Sequence, residues 1–394
     1  MSSSLAGVAS VATLGFALAS GAAEKTVSPT APALTHLPVY FGTYTGGKSQ
    51  GIYASRLDLA TGKLEPARLV AQTPSPSFLA FRPDGRFLYA VNELDRFSNE
   101  KNAGSVSSFA IAPDTGDLTF LNSQSSKGAH PCHLSVDRTG KWVLVANYSG
   151  GNLAVLPIQN DGSLGPNVQV VRHEGWSTNS QRQNEPHAHS INLDASNKIA
   201  VAADLGIDKL LIYDFNAETG QLSANDTPAV RAESGSGPRH FAFHPEGKRA
   251  FVINELSSTL TSLTYDPKKA VFTEGFSIST LPGGKPVPGN STAEVQVHPS
   301  GKFVYGSNRG HNSIAVFKVE RRGKLTLLEN EPTQGKTPRN FGIDPTGQWL
   351  LAANQDSDSV VVFRIDPKTG MLEPTGNSIE VGKPVCVKFL APKP

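Results

Sequence analysis

The chain has 394 residues, of which 18% are charged, with a formal net charge of +2. So even a balance excludes a generally basic surface of the kind that binds nucleic acid or anionic lipid, and any charge preference must come from a local cluster. With only Cys132 and Cys386 there is no disulfide framework; the two fall at equivalent places in different repeats and read as free thiols.

The N-terminus differs from the rest. Leu5 to Ala23 is an uncharged run of Ala, Leu, Val, Phe, Gly and Ser, ending in a small-residue cleavage pattern at Gly21-Ala22-Ala23. Residues 1–23 are expected to be a signal peptide, although Met1–Ser4 lack the usual Lys or Arg. A flexible Pro/Thr/Ala linker follows over 24–37. The expected location is therefore periplasmic or secreted, with no membrane attachment after cleavage; a cytoplasmic location is the alternative.

From residue 38 to 391 the chain repeats itself. Seven segments open Pro76–Phe81, Pro131–Val136, Pro186–Ile191, Pro238–Phe243, Thr292–Val297, Pro338–Ile343 and Pro384–Phe389. Six are followed by a turn, such as Pro83-Asp84-Gly85 or Pro345-Thr346-Gly347, and by an apolar strand ending in Asn or Asp: Asn92, Asn147, Asp204, Asn254, Asn308 and Asn354. Strands rich in Val, Ile, Leu and aromatic residues come next, at 106–111, 152–158, 209–215, 259–265, 313–319 and 359–365. The period of roughly 50 residues is that of a β-propeller with four antiparallel strands per blade. The seventh repeat stops after one strand, and 39–44, 51–58 and 64–71 supply its missing three. The expected fold is all-β: one seven-bladed β-propeller whose C-terminal strand closes the N-terminal blade. No segment has helical periodicity over a dozen residues.

In such a blade the first strand lines the central channel and the second returns to the same face. Residues just after each opening Pro should therefore meet those just after each repeated Asn, ringing one mouth. The first set is Phe78, His133, His189, His240, Glu294, Asn340 and Cys386, preceded in two blades by Arg239 and Arg339. The Pro186 repeat fits only with a one-residue shift, so His187 or His189 takes its place. The second set is Glu93, Tyr148, Leu205, Glu255, Arg309 and Gln355. A scaffold needs no imidazole, guanidinium or carboxylate here, and their convergence marks a binding or catalytic site. The bland readings are channel packing for a lone His, backbone bonding for the repeated Asn residues, and an ion pair of Arg309 with Glu255 or Glu294. His244 and His298 belong to the far mouth; His173 and His311 fall in loops. No His or Cys spacing supports a metal site.

Taken together, Pro186–His189, Asp204–Asp208, Gly237–His240, Asn254–Leu256, Ala293–Val295, Ser307–Gly310 and Pro338–Phe341 resemble the 6-phosphogluconolactonase family of seven-bladed propellers, related to 3-carboxymuconate lactonising enzymes. The resemblance covers about 38–390. It implies a site of His187 or His189, Arg239, Glu255 and Arg309, the set the repeat geometry also selects. Hydrolysis of a sugar lactone to its aldonic acid is the leading expectation, with a His as general base, the two Arg holding the carbonyl oxygen or a substrate anion, and Glu255 orienting them or acting as the acid. His133, His240, Glu294, Arg339 and Asn340 are expected to bind substrate. No Gly-x-Ser-x-Gly motif is present, so no acyl-enzyme is expected; no cofactor and no metal are expected either. The expected partner is a small lactone, not nucleic acid, and the protein is expected to be a monomer. A muconate-type cycloisomerase and a non-enzymatic periplasmic binding propeller are the alternatives.

Overall fold

The computed structural model describes residues 7–12 and 35–391. Residues 7–12 carry no regular secondary structure; the rest of the expected leader, and the linker up to residue 34, lie outside the described residues. Among the described residues there is no α-helix, only three short 3₁₀ turns.

Seven four-stranded antiparallel sheets form the ring. Blade 1 consists of His36–Thr43, Gly51–Asp58 and Arg68–Gln72, with Pro384–Phe389 as its inner strand. Tyr40 pairs with Lys388 and Gly42 with Cys386, so the last strand closes the first blade as expected. Blades 2 to 7 begin with inner strands Leu79–Phe81, Pro131–Val136, Ala188–Leu193, Pro238–Phe243, Ser291–Val297 and Pro338–Ile343. Blade 2 also carries a small hairpin, Arg96–Phe97 with Glu100–Lys101, that no repeat signal anticipates.

Burial explains the sequence pattern. Second strands such as Trp142–Asn147 and Trp349–Asn354 are buried at every position, because a neighbouring blade covers each face, so they read as continuous apolar runs. Outer strands such as Gln221–Arg231 are largely exposed and more polar. The core lies between blades: Trp142, Leu144, Ala188, Ile191 and Tyr213, for instance, pack where blades 3 and 4 meet. Neighbouring blades are also bonded at their turns. Tyr40, Tyr89 and Tyr305 donate their hydroxyls to the carbonyls of Gly116, Gly162 and Gly370 at 2.7, 3.0 and 2.7 Å. His244 and His298 do the same with Nε2 toward the Gly301 and Gly347 carbonyls, which makes them structural, as expected for the far mouth. The repeated Asn residues are structural too: Asn147, Asn308 and Asn354 donate to the Ser126, Thr280 and Thr333 carbonyls of the preceding linkers.

One irregularity recurs. In blades 3, 4, 5 and 7 the register slips by one residue at the start of the inner strand, leaving Cys132, His189, Arg239 and Arg339 unpaired with the second strand. Such β-bulges re-aim a side chain. They also correct the repeat alignment: Ser190, not His187 or His189, is the counterpart of His133 and His240, because Ser190 pairs with Ala203 as His133 pairs with Ala146. His189 belongs with Arg239 and Arg339.

Candidate active site

The bulges sort the channel residues into two tiers. The upper tier, at the mouth where the inner strands begin, is organised by Glu255. Its Oε2 lies 3.0 Å from Arg239 Nε and 2.8 Å from a terminal nitrogen of Arg309. Its Oε1 takes a terminal N–H of Arg182 at 2.7 Å, and His189 Nε2 stands 4.0 Å from Oε2. Burial alone would raise the Glu255 pKa, but Arg309, Arg239 and Arg182 overcome it and hold the carboxyl well below the usual range. Held this way, the carboxyl favours its anionic form, which suits the orienting role expected of it more than that of the acid. Of the bland pairings for Arg309, the structure selects Glu255. Three guanidiniums against one carboxylate leave the mouth strongly positive.

Arg239 is almost fully committed, donating also to the Ala293 carbonyl at 2.7 Å. Arg309 donates to the Thr292 carbonyl at 2.7 Å, while its buried Nε has no partner. Arg182 differs: its side chain is 40% exposed, so one face of the guanidinium meets solvent at the mouth. It also donates to the Tyr148 hydroxyl at 3.1 Å.

His187 sits beside this cluster, its ring stacked on Tyr148 with centroids 4.4 Å apart. Its Nδ1 lies 3.1 Å from the Tyr148 carbonyl oxygen, which can only accept. Nδ1 therefore carries a proton, which in the neutral ring leaves the lone pair on Nε2. The backbone beneath is fixed by Asp204, whose Oδ1 accepts from the His187 and Gly206 N–H groups at 2.8 and 2.9 Å. Gly206 is required: a Cβ there would come within 2.0 Å of the Glu185 carbonyl oxygen. His173, a loop residue in the sequence, is fully buried with Nδ1 2.5 Å from Asp204 Oδ2. His189 is buried, with its pKa held well below normal by desolvation and then by Arg239.

Arg339 belongs to a second group at the same mouth, its guanidinium over the Tyr44 ring at 5.3 Å. The Tyr44 hydroxyl donates to both Glu93 carboxylate oxygens at 2.9 and 3.0 Å, and Ser77 donates to Glu93 as well.

The lower tier plugs the channel. Phe78, His133 and His240 contact one another edge-on or tilted, with centroids 4.2 to 5.8 Å apart. His240 Nδ1 is 3.1 Å from Glu294 Oε2, which also accepts from Asn340. Burial pushes the Glu294 carboxyl up to about 7, against the opposing pull of Lys388 and Arg239. His133 and His240 are held well below the usual imidazole range by desolvation first. The structure thus brings Arg239, Glu255, Arg309, His187 and His189 to the upper tier, and places His133, His240, Glu294 and Asn340 one layer below. Cys132 and Cys386 are free and buried. Among the described residues, no group of three or more His, Cys, Asp or Glu side chains has metal-holding geometry.

Arg182 and Tyr44 were not among the residues expected at the mouth, and Tyr148 and Glu93, expected there, had been given no role. Tyr148 and Glu93 stand in the row after the repeated Asn and could have been chosen from it. Arg182 lies in the loop joining blades 3 and 4, which has no counterpart elsewhere in the repeat.

A seven-bladed ring with a cationic, histidine-bearing mouth defines a known class. Residues 38–389 match the model of the family described as lactonase, 7-bladed beta-propeller, and the chain belongs to that family. It is 39% identical over 352 residues to a 6-phosphogluconolactonase of Bacillus subtilis, covering 89% of this chain and 97% of that one. A 6-phosphogluconolactonase of Formosa agariphila is 33% identical over 298 residues, 74% of this chain and 82% of the relative. Among solved structures, the periplasmic gluconolactonase PpgL of Pseudomonas aeruginosa superposes with a TM-score of 0.85 at 34% identity, covering 91% of this chain and all of that one.

Proposed function

We propose that this lactonase hydrolyses a sugar lactone, an aldonolactone or its 6-phosphate, by direct attack of water on the ring carbonyl. The observation that carries the reading is the Glu255 cluster: three guanidiniums gathered on one buried carboxylate, with the His187 imidazole beside them. Opening a lactone needs a base for the water, a cation for the developing oxyanion and a proton for the leaving alkoxide.

His187 is assigned as the base. Its Nε2 holds a lone pair, and its ring and backbone are fixed by Tyr148 and Asp204. Having taken the proton from water, the imidazolium returns it to the ring oxygen as the C–O bond breaks. His189 is deeper and harder to protonate, so it shapes the pocket and is not the base. Arg309 and Arg182 face the oxyanion and any anionic substituent, and Glu255 is a positioning residue that fixes the three guanidiniums. Arg339 extends the positive wall.

We also propose that the protein acts in the periplasm; the apolar leader expected over 1–23 and the description of PpgL as periplasmic support this. There an unphosphorylated aldonolactone is the accessible substrate.

The test is acid release by purified protein from glucono-1,5-lactone and from its 6-phosphate, above the spontaneous rate, with His187→Gln and Arg309→Met as controls. Turnover that collapses in both variants is expected. Rates equal to spontaneous hydrolysis with both lactones would overturn the reading and shift weight to cycloisomerisation of a muconate-type carboxylate.

A further inference from the structure

Below the histidine plug the channel widens into a second cavity of about 380 Å³, on the side away from the Glu255 cluster. Phe78 and His240 form the wall between the two. The cavity is lined by Asn192, Gln296 and Lys388 as well as by His133 and Glu294. Lys388 lies on the strand that closes the ring, with its ammonium 4.4 Å from the centroid of the Phe78 ring. Among the described residues it forms no salt bridge, so its charge is held over an aromatic face with no carboxylate bonded to it.

His133 supplies a second donor. Its Nδ1 accepts the Ile191 backbone N–H at 3.3 Å, so Nδ1 bears the lone pair and the proton is on Nε2. The residue is 95% buried (5% exposed), yet Nε2 has no protein partner among the described residues, and it belongs to the ring of side chains around the cavity. The nearby carboxylate is occupied: Glu294 Oε2 is bonded by His240 and Asn340, and Oε1 accepts the Val295 N–H at 3.0 Å. Gln296 is likewise used up, bridging to the Phe341 carbonyl and the Ile343 N–H of the next blade. What remains toward the cavity is an ammonium, an imidazole N–H and one N–H of the Asn192 amide, whose Nδ2 also donates to Ser190 Oγ at 3.4 Å. These are donors for an anion and not for a cation.

We propose that this lower cavity is a second binding site, separate from the lactonase site, for a compact oxyanion such as a hydroxy-carboxylate or inorganic phosphate, held by Lys388 and His133. The volume is in the range of small-molecule sites and accommodates a six-carbon acid. The site does not depend on the assignment of the reaction above, since none of its donors touches the Glu255 cluster.

The experiment is calorimetric titration of gluconate and, separately, of inorganic phosphate into the whole protein in chloride-free buffer. Wild type, Lys388→Met, Lys388→Arg and Arg309→Met are compared. The expected result is a binding event that Arg309→Met retains, that Lys388→Met weakens at least tenfold and that Lys388→Arg restores in part. Lactone hydrolysis by Lys388→Met stays within twofold of wild type. Which of the two anions titrates decides between a carboxylate and a phosphate ligand. Lys388→Met isotherms that match wild type for both anions, or binding that vanishes in Arg309→Met alone, would overturn the proposal. So would the absence of any binding event for either anion.

Discussion

Asp204 holds His187 by the backbone: its Oδ1 accepts the His187 N–H at 2.8 Å, while its other oxygen is bonded by His173 Nδ1. The imidazole assigned as base is thus set by a buried carboxylate that never touches substrate. Asp204→Asn should lower kcat by about 10-fold with a smaller change in KM, whereas His187→Gln should cost roughly 10²–10³-fold in kcat. Steady-state kinetics of the two variants, with circular dichroism to verify folding, separates positioning from proton transfer.

Gly206→Ala provides a steric version of the same test. The added methyl cannot coexist with the Glu185 carbonyl, so the segment bearing His187 must shift. A displacement near 1 Å at a reacting group costs on the order of 10²-fold in rate, and because the clash is with backbone, stability should fall as well, by about 1–3 kcal/mol. A crystal structure or the kinetics of the variant checks this.

Arg182 is the exposed member of the three-arginine cluster. Arg182→Met should raise KM about tenfold for a phosphorylated lactone and less for the neutral one, because the lost cation is the one facing solvent. Equal effects on both substrates would assign Arg182 to the oxyanion and not to the substituent.

Glu255→Gln removes the only carboxylate among three guanidiniums. Breaking a buried network from one side costs about 3–5 kcal/mol, and urea denaturation of the variant should register a loss of that order. Arg182, being partly solvated, contributes least to it.

Acid should destabilise the protein through its channel histidines. His133, His189 and His240 have folded pKa values well below 6.5, so below that pH the unfolded chain binds protons that the folded chain does not. Glu294 acts in the opposite sense. Its pKa rises from 4.5 to about 7 on folding, so its contribution is complete below 4.5 and is lost as pH rises toward 7. At about 1.4 kcal/mol per pKa unit, that loss is roughly 3 kcal/mol at most. Glu294→Gln should therefore flatten the decline between pH 4.5 and 7 while leaving the acid limb. Denaturation midpoints measured across pH 4 to 8 test both limbs.

The ring was legible in the sequence because each blade repeats the same physical problem: a Pro at the strand start, a Gly-bearing turn, a fully buried second strand and an Asn that caps the linker. The mouth residues Arg239, Glu255 and Arg309 were legible for the same reason, as polar substitutions at fixed places of an otherwise apolar pattern. What misled was the place of Pro186, two residues ahead of the paired start of its strand. Counting from Pro186 needs a one-residue shift to bring His187 or His189 into the row of His133, but Ala188 takes the paired place that Pro131 holds in blade 3, so the row falls on Ser190 and His189 becomes the bulged residue, as Cys132 is; hydrogen-bond register is not written in residue types. Arg182 was out of reach because its loop is unique to one junction, so no comparison between repeats could single it out.

The closure of blade 1 by Pro384–Phe389 has a consequence for synthesis. Six blades can form as the chain emerges, but the first waits for the last strand, and until then Gly42, Phe41 and their neighbours present an unpaired strand edge. The ring is therefore locked only once Pro384–Phe389 has been made. Deleting the final strand should leave not a shorter enzyme but an open, aggregation-prone arc.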